Sequence, residues 1–315
     1  MIKKKFFKIF RSLFKLFLPI ISKILLTLKL QRRVINSLEE KSYFSNNKYN
    51  FTLLIKDLLQ NKKLTAVDVG ALGGFNSENF FSKKYNFFFE GICVEPIKSE
   101  AEKLSKEKLV INKGLWSKKE RKKVFILGNR LQSSSMYKPE VERFAIHDIK
   151  KKDYANYNIT DTQEIDCDTL DNSLQSLKID SLDYLKIDTQ GAELEILKGM
   201  SEYTPLLIKL EAHVNSMYES VPKWNELINH IFEKNYIVID WKNVTSHSTR
   251  IPVEMDMIFI PDFNNESGRK LIANQKEKFI SLLLIFGQIK ILKVIMKMLD
   301  IRNSEIEKIE DLYFN

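Results

Sequence analysis

Cysteine is scarce in this chain, with only 2 in 315 residues. Cys93 and Cys167 form no zinc spacing, and both fall in apolar runs that read as strands. Their expected state is two buried, reduced thiols in a reducing compartment, and no metal site is expected. Long uncharged runs are also missing. The longest in the N-terminal region is Leu16 to Ser22, and a second covers Phe279 to Ile289. Neither approaches the roughly 20 residues that a helix needs to cross a bilayer. No signal-peptide cleavage pattern follows the N-terminus, and no internal repeat is found. Acid is absent from the first 38 residues, which carry ten Lys or Arg, whereas the remainder holds 40 basic and 41 acidic side chains. The net charge of +9 therefore belongs to a tail. A nucleic-acid enzyme more often carries its basic face on the folded domain, so no nucleic-acid partner is expected.

The tail itself is distinctive. Phe6, Phe7, Phe10, Phe14 and Phe17 are interleaved with Lys3, Lys4, Lys5, Lys8, Arg11 and Lys15, and Pro19 breaks or kinks the run. Residues 1–38 read as one basic amphipathic segment. Residues 1–33 can lie on an anionic membrane surface, or form a helix packed on the domain or on a partner. The expected location is cytoplasmic, with attachment to the inner face of the membrane if the first outcome holds.

Two strand-to-helix junctions carry the chemistry. In the first, Ala66, Val67 and Val69 form a short strand that ends in a turn containing Gly70, Gly73 and Gly74, after which Asn76 or Ser77 is placed to cap a helix through Ser82. The next strand, Gly91 to Val94, ends at Glu95, and an acid in that position accepts hydrogen bonds from a ribose diol. The glycines do not fit G-x-G-x-x-G, because Leu72 stands where the second glycine belongs, which disfavours a pyrophosphate-bearing dinucleotide. In the second junction Leu182, Tyr184, Leu185 and Ile187 read as a buried parallel strand that stops at Asp188. The turn Thr189-Gln190-Gly191 follows, then a helix that Gly199 ends. Open α/β sheets place ligands beyond such strand ends.

At these residues the chain resembles the FkbM methyltransferases. The resemblance rests on VDVGALGGF (67–75), Val94-Glu95-Pro96, Thr169-Leu170-Asp171 and LKIDTQGAE (185–193), the last being the most specific. It implies a Rossmann-like class I methyltransferase fold of the α/β class, S-adenosylmethionine as methyl donor, and O-methylation of a hydroxyl, often on a sugar. Gln190 departs from the family, which more often has glutamate there.

The rest of the chain fits one domain over residues 50–262. Further strands are expected at 109–114, 122–127, 162–167 and 206–211, with an antiparallel edge pair at 236–241 and 254–260. Residues 138–160 form an excursion suited to a substrate lid. Asn264 to Gly268 reads as a linker to a helical extension over 268–315, which can pack on the domain, form a homodimer face or contact lipid.

Candidate catalytic residues are Asp188, Glu211 and His213, where strands four and five end. Residues two apart on a strand share a face, so Glu211 and His213 can both meet the cleft. Glu193 is a second acceptor, or complements its helix N-terminus. For the cofactor, Asp68 can meet the methionine amino group, Gly70 and Gly73 give backbone room, Glu95 holds the ribose, and Asn112 lies near the adenine. Trp116 can stack or pack. The expected partner is a small-molecule or glycan acceptor. Two other readings stay open here: an NAD-dependent oxidoreductase, and a non-catalytic membrane-associated scaffold.

The charge pattern predicts that deleting residues 1–33 abolishes flotation of the protein with anionic vesicles while leaving its catalytic activity intact. Undiminished vesicle binding would contradict the membrane assignment.

Overall fold

The computed structural model describes residues 17–21, 23–24, 50–104, 109–245, 251–301 and 303. The chain divides into two units, Met1–Asn50 and Phe51–Asn315. In the first, residues 17–21 and 23–24 are helical, with Phe17, Leu18, Ile20 and Ile24 exposed. The rest of the expected amphipathic segment lies outside the described residues.

The second unit is built on a seven-stranded sheet. Its strands are β1 (Leu64–Val69), β2 (Phe89–Val94), β3 (Leu109–Ile111), β7 (Tyr184–Ile187), β8 (Leu207–His213), β9 (Tyr236–Thr245) and β10 (Pro252–Pro261), in the order β3-β2-β1-β7-β8-β10-β9. The five strands from β3 to β8 pair in parallel, while β10 pairs antiparallel with both β8 and β9. This is the Rossmann-like α/β sheet with an antiparallel edge that the sequence implies. Strand order reverses between β1 and β7, and a doubly wound sheet opens its ligand crevice at such a point. A second sheet of β4 (Gly114–Leu115), β6 (Ile159–Asp168) and β5 (Glu120–Leu127) stands beside it. Helices α1 (Thr52–Leu59), α2 (Lys98–Leu104), α3 (Leu170–Ser176), α4 (Glu193–Lys198) and α5 (Trp224–Glu233) fill the connections. Thr169 caps α3 by accepting from Asn172 N, and Asp171 pins the chain after α4 through Ser201 N, Ser201 Oγ and Glu202 N.

Strand periodicity divides the sheet into two unlike faces. Val67, Val69, Ile92, Val94, Leu185, Ile187, Ile208 and Leu210 point one way into the main core. The opposite face is apolar at its N-terminal half, where Phe89 and Tyr184 meet Phe81 and Phe286. Its C-terminal half is charged, with Asp68, Lys186 and Lys209 side by side in register and all buried. The strand at 184–187 is thus not a purely apolar run.

Four expectations are corrected. No helix forms over 76–82. Gly73, Gly74, Asn76 and Asn79 all have left-handed backbone (φ +83°, +101°, +55° and +57°), so the segment is a succession of turns. Asn76 braces it, donating from Nδ2 to Phe81 O (3.0 Å) and Asn86 Oδ1 (2.9 Å). The helix expected from Pro96 begins at Lys98. Strand three ends at Ile111, and Gly114 belongs to the second sheet. Finally, the stretch read as a linker is a helix start. Asn265 accepts from Gly268 N (2.8 Å) and caps α6 (Glu266–Asn274), with Gly268 so tight against Asp262 that an added Cβ would lie 2.1 Å from its carbonyl oxygen.

The C-terminal helices join the same unit. The uncharged run forms α7 (Lys276–Ile285), in which Phe279 to Ile285 are all buried, and α8 (Ile289–Met298) follows. Lys278 of α7 reaches Asp183 (2.8 and 2.9 Å), a fully buried carboxylate that also accepts from Thr65 N (2.8 Å). Among the described residues no helix is long and apolar enough to cross a membrane.

Candidate functional site

The strand ends of β1, β2 and β7 open into a concave, partly apolar crevice that reaches solvent, the kind of place where small molecules bind. Val69 and Gly70 follow from β1, Val94 and Glu95 from β2, and Asp188 to Gln190 from β7. The second sheet supplies the facing wall through Gly114, Leu115 and Val124, and the turn at 131–136 completes it. Gly70 is required by geometry. Its φ is +76°, and a Cβ there would come within 2.0 Å of Asp188 O. The two crevice walls therefore touch through bare backbone.

Behind this contact lies a buried ammonium. Lys186 Nζ is 3.1 Å from Asp68 Oδ1 and 3.9 Å from Asp188 Oδ2, and it donates to Gly70 O (3.3 Å). Burial disfavours its charge, but Asp68 and Asp188 outweigh that and raise its pKa. Burial likewise opposes ionisation of Asp188, yet Lys186 and Lys209 hold its carboxyl below the usual range. Lys209 pairs with Asp256 (2.7 Å), and the Phe80 ring, contributed by the glycine-rich turn, lies against its ammonium (3.4 Å to the centroid). The charged half of the sheet is thereby sealed under an aromatic ring.

Glu95 is nearly fully buried on the cavity wall. Burial pushes its pKa up to about 7, while the hydrogen bond from Ile97 N (2.9 Å) pulls the other way. Its neighbours Ile97, Leu115 and Met136 offer apolar surface for a flat ring.

Gln190 joins the cavity to the far side. Its backbone is left-handed (φ +59°), and its Nε2 donates to Asp188 Oδ1 (3.1 Å) and to Glu211 Oε2 (3.0 Å). Its Oε1 lies 3.0 Å from the Tyr218 hydroxyl, and Ser135 Oγ donates to its carbonyl (2.7 Å). An amide suits this place because its two N–H groups face two carboxylates. Burial first, then the charges of Asp188 and Glu254, push the Glu211 pKa well above its ordinary value. His213 is buried beyond Glu211, edge-on to Tyr218. Tyr218, Met217 and Phe144 form a small core of their own with Tyr154 and Tyr157. The 138–160 excursion is thereby packed against the segment that carries Met217 and Tyr218.

The sequence candidates are thus distributed unevenly. Gly70, Glu95 and Asp188 line the cavity, and Glu211 and His213 stand behind Gln190. Asp68 and Gly73 are not on the cavity wall, and Asp68 instead accepts from Asn76 N (3.1 Å) and pairs with Lys186. Asn112 is also off the wall, its Nδ2 donating to Glu95 O (2.9 Å) and Pro96 O (3.1 Å), which fixes the loop that carries Glu95. Glu193 Oε1 accepts from Thr189 N, Thr189 Oγ1 and Gly191 N, so it organises its own turn. Trp116 packs in the core under the Lys122 ammonium. Lys186, Lys209 and Glu254 escape a reading by hydropathy, because a lone charge inside a strand is ordinarily assigned to solvent. The signal available was period two along one strand, Lys186 with Asp188 and Lys209 with Glu211 and His213.

Residues 68–238, more than half of the chain, match the family model described as a methyltransferase FkbM domain. No curated protein matches the chain. Among solved structures 24 chains match. One is an E. coli crystal structure whose title describes a candidate DNA modification methyltransferase encoded within a prophage. It is 11% identical, aligned over 63% of this chain and 47% of that one, with a TM-score of 0.34. The chain spans about half the length of that structure, and the likeness carries nothing further.

The bridging amide makes a sharp prediction. Gln190→Glu replaces two hydrogen bonds to carboxylates by repulsion, and each such bond is worth about 1.5–3 kcal/mol. The variant is expected to lose about 2–4 kcal/mol of unfolding free energy at pH 8 in urea denaturation. A midpoint and slope unchanged from the parent would contradict the bridge.

Proposed function

The chain belongs to the FkbM methyltransferase family, and from that premise we propose that it is an S-adenosylmethionine-dependent O-methyltransferase whose donor binds in the crevice between β1 and β7. The observation that carries this reading is the pairing of Gly70, pressed against the Asp188 carbonyl, with a buried carboxylate at the end of β2. A ribose diol would donate to Glu95, the adenine would lie against Ile97 and Leu115, and the amino-acid end would reach toward Gly70 and Asp188. A chain cradling a pyrophosphate would need a freer glycine loop, with N–H groups aimed into the cavity. Here the N–H groups of Gly70 and Ala71 are both taken by Val94 O (3.1 and 3.2 Å).

When bound, the donor would supply a methyl group from its sulfonium to the acceptor oxygen, with the carbon–sulfur bond breaking as the carbon–oxygen bond forms and the hydroxyl giving up its proton. Holding the two reactants in line is worth several kcal/mol. Asp188 stays ionised beside Lys186 and Lys209, so it can accept the hydrogen bond that orients the hydroxyl. The proton goes to a carboxylate of the acceptor side, Asp188 being nearest the cavity with Glu211 and His213 behind it. The acceptor we favour is a sugar hydroxyl of a surface glycan or lipid-linked saccharide. The support is the acid-free, phenylalanine-rich N-terminal segment, which suits peripheral attachment at the cytoplasmic face of a membrane.

The raised pKa of Glu95 gives the test. Its folded-state value, about 7, exceeds the ordinary 4.5, so the carboxylate that the diol needs is mostly lost below neutrality. S-adenosylhomocysteine is expected to bind roughly tenfold more tightly at pH 8 than at pH 6 by calorimetry, with proton release on binding. Glu95→Gln is expected to flatten that dependence and to weaken binding at pH 8. Absence of binding at either pH would refute the donor assignment, and an unaltered profile in the variant would remove Glu95 from the site.

A further inference from the structure

One buried group on the charged face lies off the cavity wall and makes no side-chain hydrogen bond. The His213 side chain is 1% exposed, and neither of its ring nitrogens has a hydrogen-bond partner among the described residues. A buried polar atom left without a partner is destabilising. Two carboxylates flank the ring. Glu211 Oε2 is 4.0 Å from Nε2, and Glu254 Oε1 is 3.8 Å from Nδ1. Both separations are too long for a hydrogen bond. A single ion would take only one of the two ring nitrogens, with one oxygen from each carboxylate. With bonds of roughly 2.0–2.2 Å to a common centre, neighbouring ligand atoms stand about 3–4 Å apart. One donor atom from each of the three residues lies within 4.8 Å of the other two.

Backbone register makes the group. Glu211 and His213 are two apart on β8 and share a face, and Glu254 on β10 is the direct cross-strand partner of His213. The setting is short of positive charge. Asp188, Glu193, Glu254 and Asp256 all act on Glu211, while the nearby ammoniums of Lys186 and Lys209 are paired with Asp68 and Asp256. The Gln190 amide, which donates to Glu211 Oε2, is placed as the outer partner that orients a ligating carboxylate.

We propose that Glu211, His213 and Glu254 bind one divalent first-row transition-metal ion, Mn²⁺ or Zn²⁺. One imidazole and two carboxylates suit such an ion, whereas Mg²⁺ prefers an all-oxygen shell. Three protein ligands leave positions open to water or to an oxygen ligand. The site depends on no assumption about the donor crevice.

The experiment uses the full chain, stripped with a chelator and dialysed. Mn²⁺ binding is followed by electron paramagnetic resonance, with Zn²⁺ and Mg²⁺ as competitors. The expected result is one bound Mn²⁺ per chain, displaced by equimolar Zn²⁺ and retained in a tenfold excess of Mg²⁺. His213→Ala and the near-isosteric Glu254→Gln should each weaken Mn²⁺ at least tenfold, with circular dichroism confirming that the variants are folded. If His213→Ala does not fold, Glu254→Gln decides. No stoichiometric binding by the parent, or equal affinity in a folded Glu254→Gln, would overturn the proposal.

Discussion

The buried ammonium of Lys186 is the interaction on which the rest depends. Removing an ion from water costs several kcal/mol even after relaxation, so it persists only where partners compensate. Here they come from three segments: Asp68 on β1, the Gly70 carbonyl in the turn that follows, and Asp188 beyond β7. These are the two walls of the crevice. One side chain therefore holds the switch point closed at its floor while Gly70 lets the backbones meet above it. A bulkier residue at Gly70 would separate the walls, and an apolar residue at 186 would leave two buried carboxylates facing each other.

From that floor the two sides of the site diverge. The cavity faces the apolar core and carries one nearly buried acid, Glu95, kept partly protonated near neutrality by its surroundings. The other side is a charged half-sheet in which Lys209, Glu211, His213, Glu254 and Asp256 line adjacent strands. Gln190 is the only residue described as hydrogen-bonding to both Asp188 and Glu211. Ser135 and Tyr218 also grip it, and the excursion packs against Tyr218. The element with the look of a loose lid is thus anchored at its base.

Much of this was legible in the residues. The strand-turn junctions at 66–70 and 185–191, the acid at Glu95 and the antiparallel edge follow from apolar period and from where the runs stop. What could not be read was long-range. The stretch after Gly74 has helix-compatible residues, but Asn76 and Asn79 take left-handed backbone because Asn76 is engaged with Phe81 and Asn86. Asp68 resembles a cofactor ligand by position, and only the fold shows Lys186 beneath it. Asn112 reads in the sequence as an adenine contact, yet its amide is committed to the backbone of Glu95 and Pro96. Glu254 carries no local signal, since its partner His213 lies on another strand.

The central claim is that this crevice, floored by Lys186 and edged by Glu95, receives the adenosyl donor. A crystal structure of the protein soaked with S-adenosylhomocysteine tests it most directly. The account predicts density between β1 and β7, with the ribose hydroxyls on the Glu95 carboxylate and the homocysteine end toward Gly70 and Asp188. Density seated elsewhere, or an empty crevice at saturating ligand, would contradict it.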